Sequence, residues 1–265
     1  MHFPVYVWGI HPHLLFEAMG YAVAFAIFLW LRATRGDTVE VPLRWSVIAA
    51  AFVGGALGSK VLYWAEDPAA TAAHWREFTY LMGGKTIIGG LIGGWIAVEL
   101  MKKYVGISES TGDLFAVPLT MGIAIGRIGC FLTGLSDKTY GTATRLPWGI
   151  DFGDGVRRHP TQLYEFVFLI GLSIFLYRLL RVGDGVSSVS TLMQFRNGDV
   201  FKLFMISYLG FRLILDFWKP SDPAVLLGMG SLQWACVVAI LIYTRDVLRW
   251  LSKQRVQHNA LQEVS

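Results

Sequence analysis

Two arginines lie inside apolar stretches of this chain, and each is placed to hold an anion. Arg127 sits in Leu114-Phe-Ala-Val-Pro-Leu-Thr-Met-Gly-Ile-Ala-Ile-Gly-Arg-Ile-Gly-Cys-Phe-Leu132, and Arg212 in Tyr208-Leu-Gly-Phe-Arg-Leu-Ile-Leu-Asp216. A cation at membrane depth costs about 2.5 to 3.5 kcal/mol on the lowest scale, and folding alone does not require it. A carboxylate or a ligand anion must meet each guanidinium. A lipid phosphate suits the planar fork of arginine, which matches phosphate oxygens two at a time. Tyr208, Arg212 and Asp216 recur every fourth residue, so they share one helical face and Arg212 can pair with Asp216. That triplet reads either as an ion pair joining helices or as a polar track ending near Lys219. Arg127 is about seven residues from its span's end, roughly 10 Å, so it reaches either a phosphate or the outer interface.

A second group is Arg157-Arg-His-Pro-Thr-Gln-Leu-Tyr-Glu165. Pro160 marks a helix start, and a free helix N-terminus beside Arg158 and His159 is a ready anion site. Gln162 and Glu165, three apart, share a face, with Tyr164 near the outer interface. The plain alternative is a polar, capped helix entry. Cys130 follows Arg127 by three residues, where a cation favours thiolate; otherwise it and Cys236 are small packing residues. Lys60 lies within a span and either snorkels or pairs with Glu66 or Glu99, and Glu17 is an acid able to meet one of the cations. His11 and His13 offer too few neighbours in sequence for a metal, so no metal ligands and no cofactor are expected. Gly83-Gly-Lys-Thr86 lacks the spacing of a phosphate loop and reads as close helix packing.

The elements that carry these residues are set by composition. Of the 265 residues 54% are hydrophobic and only 16% charged, against about a quarter in soluble domains. The chain reads as an all-α, polytopic membrane protein, a single transmembrane domain spanning 1–265. Its 29 glycines allow close helix approach, and 10 tryptophans with 10 tyrosines supply interfacial anchors. The net charge of +4 belongs to residues flanking spans, which argues for anionic lipid and against nucleic acid.

Seven stretches approach the length of a span: 14–33, 44–64, 86–105, 113–133, 161–180, 200–218 and 224–250. Of 23 basic residues, thirteen fall on the side of 34–43, 102–112, 181–199 and the C-terminal tail, and seven on the other. The richer side is cytoplasmic, so the N-terminus is periplasmic and the C-terminus cytoplasmic. Segments 65–85 and 134–160 become periplasmic loops at the outer interface, the first amphipathic, the second ordered around Leu146-Pro-Trp-Gly-Ile-Asp-Phe152. The tail 252–265 is polar. No internal repeat and no broken helix pair is expected, which speaks against a transporter.

Together, Gly126-Arg-Ile-Gly-Cys-Phe-Leu-Thr-Gly134, Arg158-His-Pro-Thr-Gln-Leu-Tyr-Glu165 and Tyr208-Leu-Gly-Phe-Arg-Leu-Ile-Leu-Asp-Phe217 resemble the bacterial prolipoprotein diacylglyceryl transferase family. Gly89-Gly-Leu-Ile-Gly93 and Met229-Gly230 fit as well. The resemblance implies a multi-pass enzyme of the bacterial inner membrane with seven spans and its N-terminus outside. It implies transfer of the diacylglyceryl group of phosphatidylglycerol to the lipobox cysteine thiol of a secreted precursor, with glycerol phosphate released. Arg127, Arg212 and Tyr208 would be catalytic. Arg127, Arg158, His159, Gln162, Tyr164, Glu165, Arg212 and Asp216 would bind the headgroup. The chain departs from the family pattern at Ile88, where a histidine is proposed as base, and at Cys130, where asparagine stands. It departs also at Thr133-Gly-Leu135, at Phe16, and at Asp216, which replaces glutamate. His159 or Lys60 are the remaining groups able to take the proton. The departures leave two alternatives: a paralogous phospholipid-dependent transferase with a different acceptor, or a non-catalytic phospholipid-binding or transport protein.

Overall fold

The computed structural model describes residues 3–182, 196–220 and 226–252. The chain is built of helices: α1 (Pro12–Arg35), α2 (Val41–Glu66), the short α3 (Pro68–His74) and α4 (Phe78–Met82), then α5 (Ile87–Val105) and α6 (Asp113–Thr133). After a 3-10 turn at Gly134–Asp137 and a small antiparallel pair, β1 (Ile150–Asp151) and β2 (Arg157–Arg158), come α7 (Thr161–Val182) and α8 (Asp199–Leu215). A second 3-10 turn, Asp216–Trp218, leads on to α9 (Ser231–Ile242) and α10 (Thr244–Ser252).

Helix boundaries follow local chemistry. Pro12 opens α1, where its fixed φ suits a helix and its missing N–H is no loss. Thr86 caps α5 by accepting from the Gly89 N–H at 3.1 Å. Gly106 closes α5 with φ +77°, a left-handed conformation other residues resist.

The helices pack in pairs through small residues. A Cβ on Gly58 would lie 2.4 Å from the Gly89 carbonyl oxygen and 2.7 Å from Gly93 Cα, so α2 and α5 touch backbone to backbone. Gly20 and Gly122 do the same for α1 and α6. Such contact is how helices associate where apolar side chains gain nothing by leaving lipid. The common core joins Leu31, Ile88, Leu169, Phe204, Met205, Leu209 and Cys236, from α1, α5, α7, α8 and α9. Outward-facing Phe52, Leu57 and Val61 of α2 are exposed apolar side chains, as on a lipid-facing surface.

The protein is therefore an all-α membrane protein. Among the described residues, α1, α2, α6 and α7 are each long and apolar enough to cross a bilayer, and α9 with α10 makes a fifth if the bent pair is one span. The two other expected spans also form helices. However, α5 carries Glu99, Lys102 and Lys103, and α8 has only 17 residues.

The last span departs from expectation. Sequence suggested one continuous helix over 224–250 with no broken pair; the chain instead bends by 50° between α9 and α10. The cause lies in its charges. Arg249 Nη2 reaches Asp199 Oδ1 at 2.5 Å, Trp250 Nε1 donates to Asp199 Oδ2 at 3.2 Å, and Lys202 meets Asp246 at 2.9 Å. These contacts draw α10 onto the start of α8. The expected polar tail lies outside the described residues beyond Ser252, as does 183–195 of the expected loop 181–199.

Candidate functional site

Three helices bring one charged cluster together. Arg127 comes from α6, Glu165 and Gln162 from the first turns of α7, and Tyr208 and Arg212 from α8, with Asp216 and Lys219 following directly. All of Arg127, Gln162, Glu165, Tyr208 and Arg212 are buried, the two arginines at 4% exposure. Arg127 therefore does not snorkel to the interface.

Glu165 stands at the centre. Its Oε1 lies 2.9 Å from Arg127 Nη2 and accepts the Tyr208 hydroxyl at 2.5 Å. Arg212 Nη1 is 3.4 Å from both carboxylate oxygens, while its Nη2 donates to Asp216 Oδ1 at 2.8 Å. Lys219 Nζ approaches the same Asp216 oxygen at 3.5 Å. The expected Arg212–Asp216 pair forms, but sequence reasoning did not link Glu165 to both arginines. Glu165 and Arg127 are 38 positions apart (165 − 127), so no helical spacing announces the contact.

Three cations thus face two carboxylates, leaving one positive charge in excess. Hydrogen bonding is also incomplete. Arg127 Nε, Arg212 Nε, both amide atoms of Gln162 and Asp216 Oδ2 are buried with no partner among the described residues. Buried polar atoms are nearly always satisfied, so the unpartnered Nε atoms of Arg127 and Arg212 are two buried donors still open to an acceptor.

Not every expected site residue joins this cluster. Arg158 turns to Asp154 at 2.6 Å and to the Val156 carbonyl at 3.0 Å, with its guanidinium over the Tyr140 ring at 5.1 Å. The Arg158 hydrogen bond holds the Asp154 carboxyl below its ordinary value, and the carboxylate raises Arg158 in return. His159 Nδ1 meets the Tyr164 hydroxyl at 3.1 Å, and Trp148 Nε1 donates to the same hydroxyl at 2.8 Å. These residues form an outer layer. In the segment 134–160, His159 N donates to Thr142 O at 3.1 Å, and Thr142 N donates to Trp218 O at 2.7 Å. Thr161 Oγ1 also donates to Thr139 O at 2.6 Å, so the segment is tied both to the start of α7 and to the turn that follows α8.

Lys60 lies elsewhere. Its ammonium donates to the carbonyls of Met82, Gly83 and Gly84, the latter two at 2.7 Å, and so caps the end of α4. Carbonyls at a helix end lack intrahelical donors and attract a cation. Glu17 takes Lys85 as partner, and its Oε2 lies 3.5 Å from His13 Nε2. Cys130 Sγ sits 3.9 Å from Arg127 Nη1 and 4.0 Å from His13 Nδ1. Ile88, in the first turn of α5, is 1% exposed and belongs to the apolar core.

Comparison with known proteins gives the family. The family model described as Prolipoprotein diacylglyceryl transferase matches residues 15–247. The chain belongs to that family. It is similar to the phosphatidylglycerol–prolipoprotein diacylglyceryl transferase of Bordetella parapertussis, 31% identical over 250 residues covering 88% of each chain. The enzyme of that name from Methylibium petroleiphilum is 33% identical over 241 residues, 82% of this chain and 84% of the relative. That of Geobacter sulfurreducens is 33% identical over 211 residues, 76% and 72%. In this member of the prolipoprotein diacylglyceryl transferase family, Arg127, Glu165, Tyr208 and Arg212 form one contiguous buried group.

Proposed function

We propose that this protein transfers the diacylglyceryl group of phosphatidylglycerol to a cysteine thiol of a prolipoprotein. The observation that carries the reading is the buried Arg127–Glu165–Arg212 cluster, with its surplus positive charge and its unpartnered Nε atoms and Gln162 amide. A phospholipid phosphate supplies both missing terms, a negative charge and acceptor oxygens. Arg127 and Arg212 hold that phosphate. Tyr208 and Glu165 fix the guanidinium planes, and Gln162 has both a donor and an acceptor free for the headgroup. Asp216 keeps Arg212 oriented.

In the reaction the acceptor thiolate attacks the glyceryl carbon that bears the phosphate ester. A sulfur–carbon bond forms, the carbon–oxygen bond breaks, and the electron pair leaves with the phosphate oxygen as glycerol phosphate. Charge grows on that oxygen in the transition state, where preorganised guanidinium groups are most effective. Arg158, His159 and Tyr164, tied together around the ordered loop 134–160, shape the outer approach.

The seven-helix reading goes with this function. In it α5 and α8 also cross the bilayer, the N-terminus faces the periplasm of a bacterial inner membrane, and segments 65–85 and 134–160 lie at the outer interface. The exposed Trp75 and Phe78 support an interfacial place for the first of these. The whole chain is then one transmembrane domain, acting on a precursor whose lipobox cysteine arrives from the periplasmic side.

The decisive experiment incubates purified protein with phosphatidylglycerol vesicles and a lipobox peptide, with thioether product read by mass spectrometry. Product formation that disappears in Arg127→Ala is expected. Tight phosphatidylglycerol binding without product would overturn the transferase reading in favour of a lipid-binding protein.

A further inference from the structure

A second cluster lies beside the arginines, and sequence spacing could not assemble it. Gly129 lets α6 press against the start of α1, since a Cβ there would stand 2.8 Å from Phe16 Cβ and 3.0 Å from the Pro12 carbonyl oxygen. That contact sets His13 of α1 over Cys130 of α6 and Asp137 of the following turn. His13 Nδ1 is 2.9 Å from Asp137 Oδ1 and 4.0 Å from Cys130 Sγ, and one ligand atom from each residue lies within 4.8 Å of the others.

We propose that His13, Cys130 and Asp137 bind a divalent zinc-type metal ion. Tetrahedral zinc places sulfur at about 2.3 Å and nitrogen or oxygen at about 2.0–2.2 Å, so its ligand atoms stand roughly 3.3–3.7 Å apart. The observed separations bracket that range, and adjustments of under about 1 Å in each of these two spacings would seat the ion. A thiolate, an imidazole and a carboxylate select zinc or its substitutes over magnesium or calcium, which prefer all-oxygen shells.

The surroundings are those of a ligand set. The second carboxylate oxygen of Asp137 accepts from Thr139 Oγ1 at 2.6 Å, which fixes which oxygen faces His13. The other imidazole nitrogen of His13 faces Glu17 Oε2 at 3.5 Å. Metal-binding histidines commonly carry such an outer carboxylate. Arg127 Nη1 stands 3.9 Å from the sulfur. With one thiolate and one carboxylate a dication is neutralised, so it coexists with the nearby guanidinium. Cys130 is buried, while the side chains of His13 and Asp137 keep 31% and 10% exposure, which leaves an entry path.

Three protein ligands leave a fourth position open, the pattern of catalytic rather than structural zinc. Here the inference rests on the transferase reading: the open position takes the acceptor thiol. Its S–H proton passes to water, and the metal-held thiolate then stands one side chain away from the phosphate-binding arginines. A coordinating thiol is deprotonated without a base, which supplies what Ile88 cannot.

The test uses the full-length protein, stripped with chelator and titrated with Co2+. One ion per chain is expected, with tetrahedral visible bands and a sulfur-to-cobalt charge-transfer band. Cys130→Ala should lose the charge-transfer band while Cys236→Ala keeps it. Thr139→Val should weaken binding about 10–100-fold, as loss of an outer partner does. Absence of the sulfur band in the native protein, or its persistence in Cys130→Ala, overturns the site. Thermal unfolding with and without Zn2+ guards against a misfolded variant, because only a chain with the site intact gains stability from the ion. If metal binds but the chelated protein transfers lipid at an undiminished rate, the role of the open position is wrong and the site stands. If metal binds and no product forms under any condition, the transferase reading fails and the site again stands.

Discussion

Glu165 is the keystone of the arginine cluster, and Glu165→Gln tests why it is there. The substitution keeps size and an acceptor for the Tyr208 hydroxyl but removes one of two carboxylates facing Arg127, Arg212 and Lys219. The surplus rises from one positive charge to two (three cations minus one carboxylate). Breaking a buried ion pair on one side costs about 3–5 kcal/mol, because a charge is left uncompensated in a low dielectric. At about 2–4 °C per kcal/mol for a chain of this size, unfolding in neutral detergent should fall by roughly 6–20 °C. A phosphate bound between the guanidinium groups would restore part of the lost charge. Phosphatidylglycerol should therefore raise the midpoint of Glu165→Gln by several degrees more than that of the native protein, and phosphatidylcholine, which has no net charge, by less. Differential scanning fluorimetry in mixed micelles reads both quantities. A midpoint within about 2 °C of native in neutral detergent, less than the shift from 1 kcal/mol, would refute the buried-pair account. Equal lipid-induced increments in both proteins would refute the anion site.

Arg127→Ala and Arg212→Ala should each lower the transfer rate by about 100- to 1,000-fold, the usual loss when one group stabilising developing charge is removed. Arg158→Ala should lower it less than about tenfold in the same mass-spectrometric assay, since it loosens the outer hairpin and leaves the phosphate-holding donors in place. Gly58→Ala places a methyl against the Gly89 and Gly93 backbones, where nothing flexible can yield, and should cost about 1–3 kcal/mol in a detergent unfolding titration. Asp37, on the α1–α2 connection, meets buried Arg44 and also Arg32. Burial raises its carboxyl, but the Arg44 hydrogen bond, the Val39 N–H and both arginine charges outweigh that and leave it below its ordinary 3.8. A depressed carboxylate contributes stability above its unfolded value and loses it as pH falls through the folded one. The native midpoint should therefore drop more steeply below about pH 4 than that of Asp37→Asn.

How much of this was legible in the sequence differs from residue to residue. Composition alone announces a membrane protein, because 20-residue apolar runs have no other stable home. Local spacing also delivers the Arg212–Asp216 pair, the helix start after Pro160, and the shared face of Gln162 and Glu165. These are one-turn relations, and the α-helix turns every sequence into the same geometry over four residues. Motif strings carried the family in the same way, because the side chains lie close along the chain.

Contacts between helices were not legible. Glu165 as common partner of Arg127, Tyr208 and Arg212 depends on how α6, α7 and α8 meet, and that meeting is decided by packing of small residues and core side chains. Lys60 ended on the carbonyls at the close of α4, where acceptors lack intrahelical donors. Charges on α10 bent the last span toward Asp199 against its own apolar continuity. His13, Cys130 and Asp137 converge only because Gly129 admits the start of α1. Local chemistry named the parts and their lipid medium; the close approach of helix backbones chose which distant side chains would share a charge, a proton or an ion.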